Sequence, residues 1–388
     1  MSIDRLHVKN LNTPKPMPLT NPREIRGKAI AEAFGQVRRI DGHHYYVKSQ
    51  HFDKEYEVTK DLEGWFCSCP DSEYRKVCCK HVFAVQYSFE LRQAAEVRHI
   101  EPIGNVSRCI FCTSDKLVKD GIRHTKQAGD IQKFYCKNCN RYFTINLGFE
   151  RMKHNPQAIT SAMQLYFSGE SLRNTMKSLR LLGVQVSHVT VLNWIKKYVA
   201  LMNEYLDKIV PKVSDTWRAD EIYVKIKGNQ KYLFALMDDE TRFWIAQEVA
   251  DTKDRHDASN LFRMGKELMG KKPMTIITDG LSSYHDAYNK VYRTIQAPRT
   301  EHVKEIRLSG SVHNNKMERM NGEIRDREKT MRGLKRTDTP ILKGYQIFHN
   351  YIRPHESLGD HTPSEACGIS IDGQNKWMTL IQNASKKE

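Results

Sequence analysis

The chain has 388 residues, of which 39% are hydrophobic and 28% charged. That is enough apolar material for about two to three packed domains, and it excludes a disordered or low-complexity protein. No apolar run reaches the roughly 18 residues a membrane-spanning helix needs. The first 21 residues mix charges with Pro14, Pro16 and Pro18 and form no secretion signal, so a cytoplasmic, nucleoid-associated protein without a membrane partner is expected. The net charge of +16 points to a polyanionic partner. It is concentrated: residues 101–200 hold 15 Lys and Arg against 6 Asp and Glu, a net of +9, while residues 217–279 hold 11 of each.

In chain order, residues 1–35 read as a flexible lead-in. Within a module at 36–100, Tyr45–Ser49, Glu55–Thr59 and Trp65–Cys69 alternate as strands do, with Asp61 and Gly64 at a turn. His81–Arg92 follows as a helix with Val82, Val85 and Phe89 on one face. Residues 105–148 carry paired cysteines among strand-like pieces, and within a region set at 152–212 residues 156–210 read as helical, broken at Gly169 and Gly183 and closed by Pro211. From Trp217 the pattern becomes α/β, over a domain set at 214–370. Strands are predicted at Ala219–Ile226, Tyr232–Met237, Phe243–Val249 and Met274–Thr278, with helices at His256–Met269 and Asn314–Arg332. Residues 371–388 read as a C-terminal tail.

Eight of the nine cysteines lie between Cys67 and Cys139, in close pairs. Without a secretion signal, close pairs indicate metal rather than disulfides. Cys67 and Cys69, followed after nine residues by Cys79 and His81, supply a tetrahedral set of three thiolates and an imidazole, with Cys78 as an alternative to Cys79. Cys109, Cys112, Cys136 and Cys139 form a second set, two C-x-x-C knuckles separated by 23 residues. His124, between the knuckles, reads as a solvated side chain, and Cys367 as a small buried hydrophobe. The first set resembles the SWIM zinc finger and the second the zinc ribbons at the front of prokaryotic transposases. Two structural Zn²⁺ ions are expected, contributing folding energy and no chemistry because their shells are closed.

Ser171–Leu182, a turn at Gly183 and His188–Met202 read as a helix-turn-helix pair. Val189, Leu192, Ile195, Val199 and Met202 form an apolar stripe, while Ser187, His188, Thr190, Asn193, Lys196 and Lys197 fall on the other faces. A plain helical linker explains the pattern as well. The local positive charge favours DNA binding, with the His188 helix in a major groove.

Three carboxylates stand in telling contexts. Asp220 lies in a strand otherwise rich in apolar residues, Asp279 ends another strand, and Glu318 sits on the long polar helix. A carboxylate in such a strand needs a partner, and a bound cation is one. Singly, Asp279-Gly280 is a turn, Asp220 a strand-edge carboxylate and Glu318 a solvated charge. As a set, several stretches resemble the RNase H-like DDE catalytic domain of insertion-sequence transposases and retroviral integrases. They are Asp220-Glu221, Ile277-Thr-Asp-Gly280, Asn314-Asn-Lys-Met-Glu318, Tyr351-Ile-Arg-Pro-His355 and Thr362-Pro-Ser-Glu-Ala366.

The resemblance implies a catalytic triad of Asp220, Asp279 and Glu318 holding Mg²⁺ (or Mn²⁺). Asp279 and Glu318 are separated by 38 residues, which makes Glu323 the fallback. Asn314, Asn315, Asn321 and Arg325 share the Glu318 face at helical spacing. The expected fold is multidomain: small zinc-binding α+β modules and a helix-turn-helix segment, then an α/β RNase H-like domain. The expected function is that of a transposase which binds the terminal inverted repeats of an insertion sequence. It would hydrolyse and transfer strands of double-stranded DNA, assembling as a homo-oligomer on that DNA. The alternative is a transposase-derived, zinc-dependent DNA-binding regulator without catalysis.

Overall fold

The computed structural model describes residues 21–386 except 34–35, 40–43, 51, 53, 61–63, 94–96, 104–106, 126–128, 145, 296–297, 305–314, 332–333 and 335–339. Asp61 and Asn314 therefore lie outside the described residues, as does the side chain of Phe89. The chain divides into two compact units, residues 1–94 and 95–388.

The first unit opens with α1 (Pro22–Glu32), where the expected lead-in was flexible. Asn21 caps it, its side chain accepting from the Arg23 N–H, and Pro22 enters the first turn, where a missing N–H costs nothing. Strands β1 (Val37–Arg39), β2 (His44–Lys48), β3 (Glu55–Lys60) and β4 (Trp65–Cys67) pair antiparallel in that order. Cys69 is the cap of the short helix α2 (Pro70–Arg75) rather than a strand residue. Helix α3 (Lys80–Gln93) buries Val82 and Val85 with Tyr45, Val47 and Val58 of the sheet. A Cβ on Gly27 would sit 2.4 Å from Phe83 Cβ, so α1 approaches α3 closely only because residue 27 lacks a side chain.

In the second unit, β5 (Arg98–Ile100) precedes a three-stranded antiparallel ribbon of β6 (Leu117–Thr125), β7 (Gly129–Cys136) and β8 (Tyr142–Thr144). Helices α4 (Pro156–Phe167), α5 (Leu172–Leu181) and α6 (His188–Leu206) follow, with Gly169 and Gly183 in left-handed backbone between them. The buried face of α6 is Val191, Trp194, Ile195, Tyr198, Val199, Met202 and Leu206. This corrects the expected stripe: Val189 is 51% exposed. Packing against α4, α5 and two later helices broadens and rotates the face beyond what a one-sided amphipathic pattern predicts.

Strands β9 (Thr216–Ile226), β10 (Asn229–Asp238) and β11 (Trp244–Ala250) form an antiparallel meander. Helix α7 (Arg255–Met269) leads to β12 (Thr275–Ile277), which pairs parallel with β9. Helix α8 (Ser282–Val291) leads to β13 (Glu301–Val303), parallel to β12. The sheet order β11-β10-β9-β12-β13 puts β9 at the centre. It is an α/β arrangement, as the sequence pattern leads one to expect. Trp217, Ala219, Ile222 and Val224 of β9 are all buried, each large apolar side chain contributing roughly 1.5–3 kcal/mol.

Helices α9 (Asn315–Met331), α10 (Pro340–Ile347) and α11 (Pro363–Ala366) follow, then β14 (Ile369–Ile371) and α12 (Lys376–Ala384). The expected tail is thus structured. Strand β14 pairs parallel with β5, and Trp377 of α12 stacks on Phe167 of α4 at 5.5 Å. Among the described residues, no helix is long and apolar enough to cross a membrane.

Candidate active site and zinc sites

The first unit gathers Cys67, Cys69, Cys79 and His81, all buried, with one ligand atom of each within 4.8 Å of the others. Cys67 ends β4, Cys69 caps α2, and Cys79 and His81 straddle the start of α3. Cys78 is exposed and outside the group, so Cys79 occupies the position for which both were candidates. His81 Nδ1 lies 3.8 Å from the sulfurs of Cys67 and Cys79. The Cys79 thiol is pulled down to about 4, first by its bond from Cys67 and then by His81, while the same bond and burial push Cys67 up.

The ribbon gathers Cys109, Cys112, Cys136 and Cys139. The Cys109–Cys139 and Cys112–Cys136 sulfurs are each 3.6 Å apart, close to the ~3.8 Å edge of a tetrahedron with ~2.3 Å Zn–S bonds. Cys112 is lowered to about 6, chiefly by the Ser114 N–H and then by the Asn138 amide. Cys139 is pushed up to about 12, by desolvation first and then by Cys112. His124 is exposed and pairs with Asp130 at 2.6 Å, away from the sulfurs. Both donor sets fit Zn²⁺ in number, type and spacing. Cys367 is buried, its thiol donating to Thr241 Oγ1 at 3.1 Å.

The carboxylates meet through sheet register. Strand β12 runs beside β9 with Ile277 opposite Arg218, so two residues further on Asp279 comes level with Asp220. Asp220, Glu221 and Asp279 each present an oxygen within 4.8 Å of the others. Burial, then the charge of Glu221, push the Asp220 carboxyl up to about 7, with Asp279 adding to the push. Asn321 Nδ2 on α9 donates to Asp220 Oδ2 at 2.9 Å, and the Glu221 N–H donates to Oδ1 at 3.0 Å. Clustered carboxylate oxygens of this kind fit a hard divalent cation such as Mg²⁺.

Glu318 lies in the first turn of α9 and is exposed. It is not among the grouped carboxylates, although it shares a helical face with Asn321 three residues on. Glu323 points elsewhere: Arg353 donates to its Oε2 at 2.5 Å and the Tyr345 hydroxyl at 3.5 Å. The fallback carboxylate is already neutralised by its own guanidinium. Lys316 anchors the start of α9, donating to the Asp239 carbonyl at 2.8 Å and to Asp239 Oδ1 at 3.0 Å.

Sequence reasoning gave no role to Glu221, Tyr284 or Lys253. The Glu221 side chain is 4% exposed and accepts from Lys253 Nζ at 2.6 Å and from the Tyr284 hydroxyl at 2.9 Å. Adjacency to Asp220 was the one available signal for Glu221; nothing local marks the other two.

Comparison with known proteins matches residues 214–355 to a DDE domain model and residues 56–88 to the SWIM zinc finger. The transposase for the insertion sequence-like element IS431mec of Staphylococcus aureus strain Mu50 is 29% identical over 228 residues, 58% of this chain and 97% of that protein. The transposase for the insertion sequence element IS257 in transposon Tn4003, also from Staphylococcus aureus, matches with the same identity and coverage. Among solved structures, the HTLV-2 integrase catalytic core domain in complex with magnesium is 16% identical, covering 41% of this chain and 98% of that one, with a TM-score of 0.30.

Proposed function

We propose that this chain, a DDE-type transposase carrying a SWIM zinc finger, binds the terminal inverted repeats of an insertion sequence and catalyses metal-dependent strand cleavage and transfer at Asp220, Asp279 and Glu318. The observation that carries the reading is the convergence of Asp220 and Asp279, 59 residues apart in sequence, on adjacent parallel strands within the DDE domain. A divalent ion held there would polarise the phosphodiester and activate the attacking oxygen, water in cleavage and a 3′-hydroxyl in transfer. Asp220 and Asp279 would hold the ion, Asn321 orients Asp220 from α9, and Glu318 on the same helical face would be the third carboxylate.

Recognition falls to the N-terminal modules and to α5 and α6 with the turn between them. His188, Thr190, Asn193, Lys196 and Lys197 stand on or near the face of α6 away from the core, which supports contact with base edges and phosphates in the manner of a helix-turn-helix. Two or more copies pair the element's ends on double-stranded DNA.

The test supplies full-length protein with a duplex carrying an inverted-repeat end, a target duplex and Mg²⁺. The expected products are a nicked end with a 3′-hydroxyl and a joined strand. Asp220→Asn should abolish both while leaving duplex binding intact. Binding with no cleavage under any divalent ion would replace the enzyme by the regulator.

A further inference from the structure

The ladder that ties β12 to β9 ends at Ile277, opposite Arg218. Asp279 lies beyond it, in a turn where its Oδ1 accepts from the Leu281 N–H at 3.1 Å and Gly280 takes φ +86. A Cβ on Gly280 would stand 2.8 Å from the Lys304 carbonyl, so one side of this turn packs against the end of β13. The side facing β9 is tied by a different device. Tyr284, in the first turn of α8, is fully buried; its ring stacks on Phe262 and meets Phe234 edge-on, each at 6.0 Å. With the ring locked by packing, its hydroxyl is aimed at Glu221 Oε2. Glu221 Oε1 is taken by Lys253, whose ammonium lies 5.2 Å from the Tyr223 ring and 5.3 Å from the Tyr232 ring. Both carboxylate oxygens are thus engaged and the charge is matched.

We infer that Glu221 is a positioning residue: bound to Tyr284, it holds the Asp279 turn against β9 and so sets the spacing of Asp279 from Asp220, with Lys253 and Tyr284 occupying both of its oxygens so that it is not itself a ligand. The inference rests on the proposed metal-binding role of the two aspartates. Outer partners of metal-binding groups typically govern tenfold to about a hundredfold in metal affinity, and a cation as exacting as Mg²⁺ responds to a small change in oxygen spacing.

The zinc-loaded full chain is compared with Tyr284→Phe, Glu221→Gln and Asp220→Asn. Mn²⁺ binding is read from the EPR signal of the free ion, and the Mg²⁺ concentration for half-maximal cleavage is measured alongside. Tyr284→Phe keeps the ring packing and removes only the hydroxyl. It should weaken Mn²⁺ binding by about tenfold or more and raise the Mg²⁺ requirement in parallel. Glu221→Gln, whose amide oxygen still accepts from Tyr284, should weaken binding less, and Asp220→Asn should abolish it. Unaltered Mn²⁺ binding in Tyr284→Phe overturns the inference. So does a Glu221→Gln defect as deep as that of Asp220→Asn, which would make Glu221 a ligand. If the unaltered chain binds no Mn²⁺ through Asp220, the metal-site reading falls first and takes this inference with it.

Discussion

The zinc sites and the carboxylate site are assembled in opposite ways. Cys67 and His81 are 14 residues apart and Cys109 and Cys139 are 30, and each set of four ligands is complete. The carboxylate site draws on strands 59 residues apart and on a helix whose Asn321 is 101 residues from Asp220, and Glu318 stands outside the group. A closed shell of soft ligands serves folding, whereas a reacting site must keep coordination positions for its substrate. On the proposed function, the difference teaches that a complete ligand set marks a structural site, and an incomplete one a site that must leave room for substrate.

The largest effect that tests this contrast is metal removal. Two zinc ions per chain are expected by metal analysis. Stripping them should unfold both modules, since structural zinc contributes on the order of 10 kcal/mol or more. The β9–β13 sheet should keep its strands by circular dichroism, and loss of all structure on chelation would erase the distinction. Next comes Glu318→Gln, expected to lower cleavage by about a hundredfold or more with DNA binding retained. Glu323→Gln should leave cleavage nearly intact and cost about 1 kcal/mol in thermal stability, because it weakens only a partly exposed pair with Arg353. The reverse pattern would transfer the ligand role to Glu323.

A third test uses pH. The Asp220 carboxyl is raised to about 7, so a cation must displace a proton below that pH. Divalent-ion affinity should fall about tenfold per pH unit beneath it. For the chain without divalent ion the sign is opposite: Asp220 contributes stability that is fully present at acid pH, below its unfolded value, and is lost as pH rises through 7. Calorimetric titration between pH 5.5 and 8.5 checks the first, and melting over the same range the second; flat affinity would mean that Asp220 binds no cation. The smallest effect is Cys78→Ser, within about 0.5 kcal/mol and with zinc content unchanged because Cys78 is exposed, while Cys79→Ser should lose one zinc.

What the sequence made legible were features whose causes are local. The strands β2, β3, β9, β10 and β11 follow from alternation and turn residues, and the cysteine knuckles from spacing. The carboxylate site was legible as residue types in context; which groups touch was not. Asp279 reaches Asp220 through parallel register, and Glu323 is claimed by Arg353 from 30 residues away. The N-terminal helix was hidden by a proline-rich lead-in, although Asn21-Pro22 is a helix start in its own right. The C-terminal helix was read as a tail because part of the surface that buries Trp377, on Phe167, lies far back in the chain. Val189 was misassigned for the same reason: neighbours, not periodicity, decide which face of α6 is covered.

That C-terminal closure has a consequence for how the protein is made. The Trp377 indole donates to Gln164, 213 residues earlier, Asn383 donates to the Glu101 carbonyl, 282 earlier, and β5 finds its partner strand only in β14. A chain emerging from the ribosome can complete neither the α4 layer nor the β5 pairing until β14 and α12 are synthesised, and Phe167 waits uncovered by Trp377 through the translation of the whole β9–β13 sheet. Contacts of such sequence separation slow folding and prolong the exposure of apolar surface. A stop codon near residue 370 is therefore expected to yield an aggregation-prone product with its helical layer open.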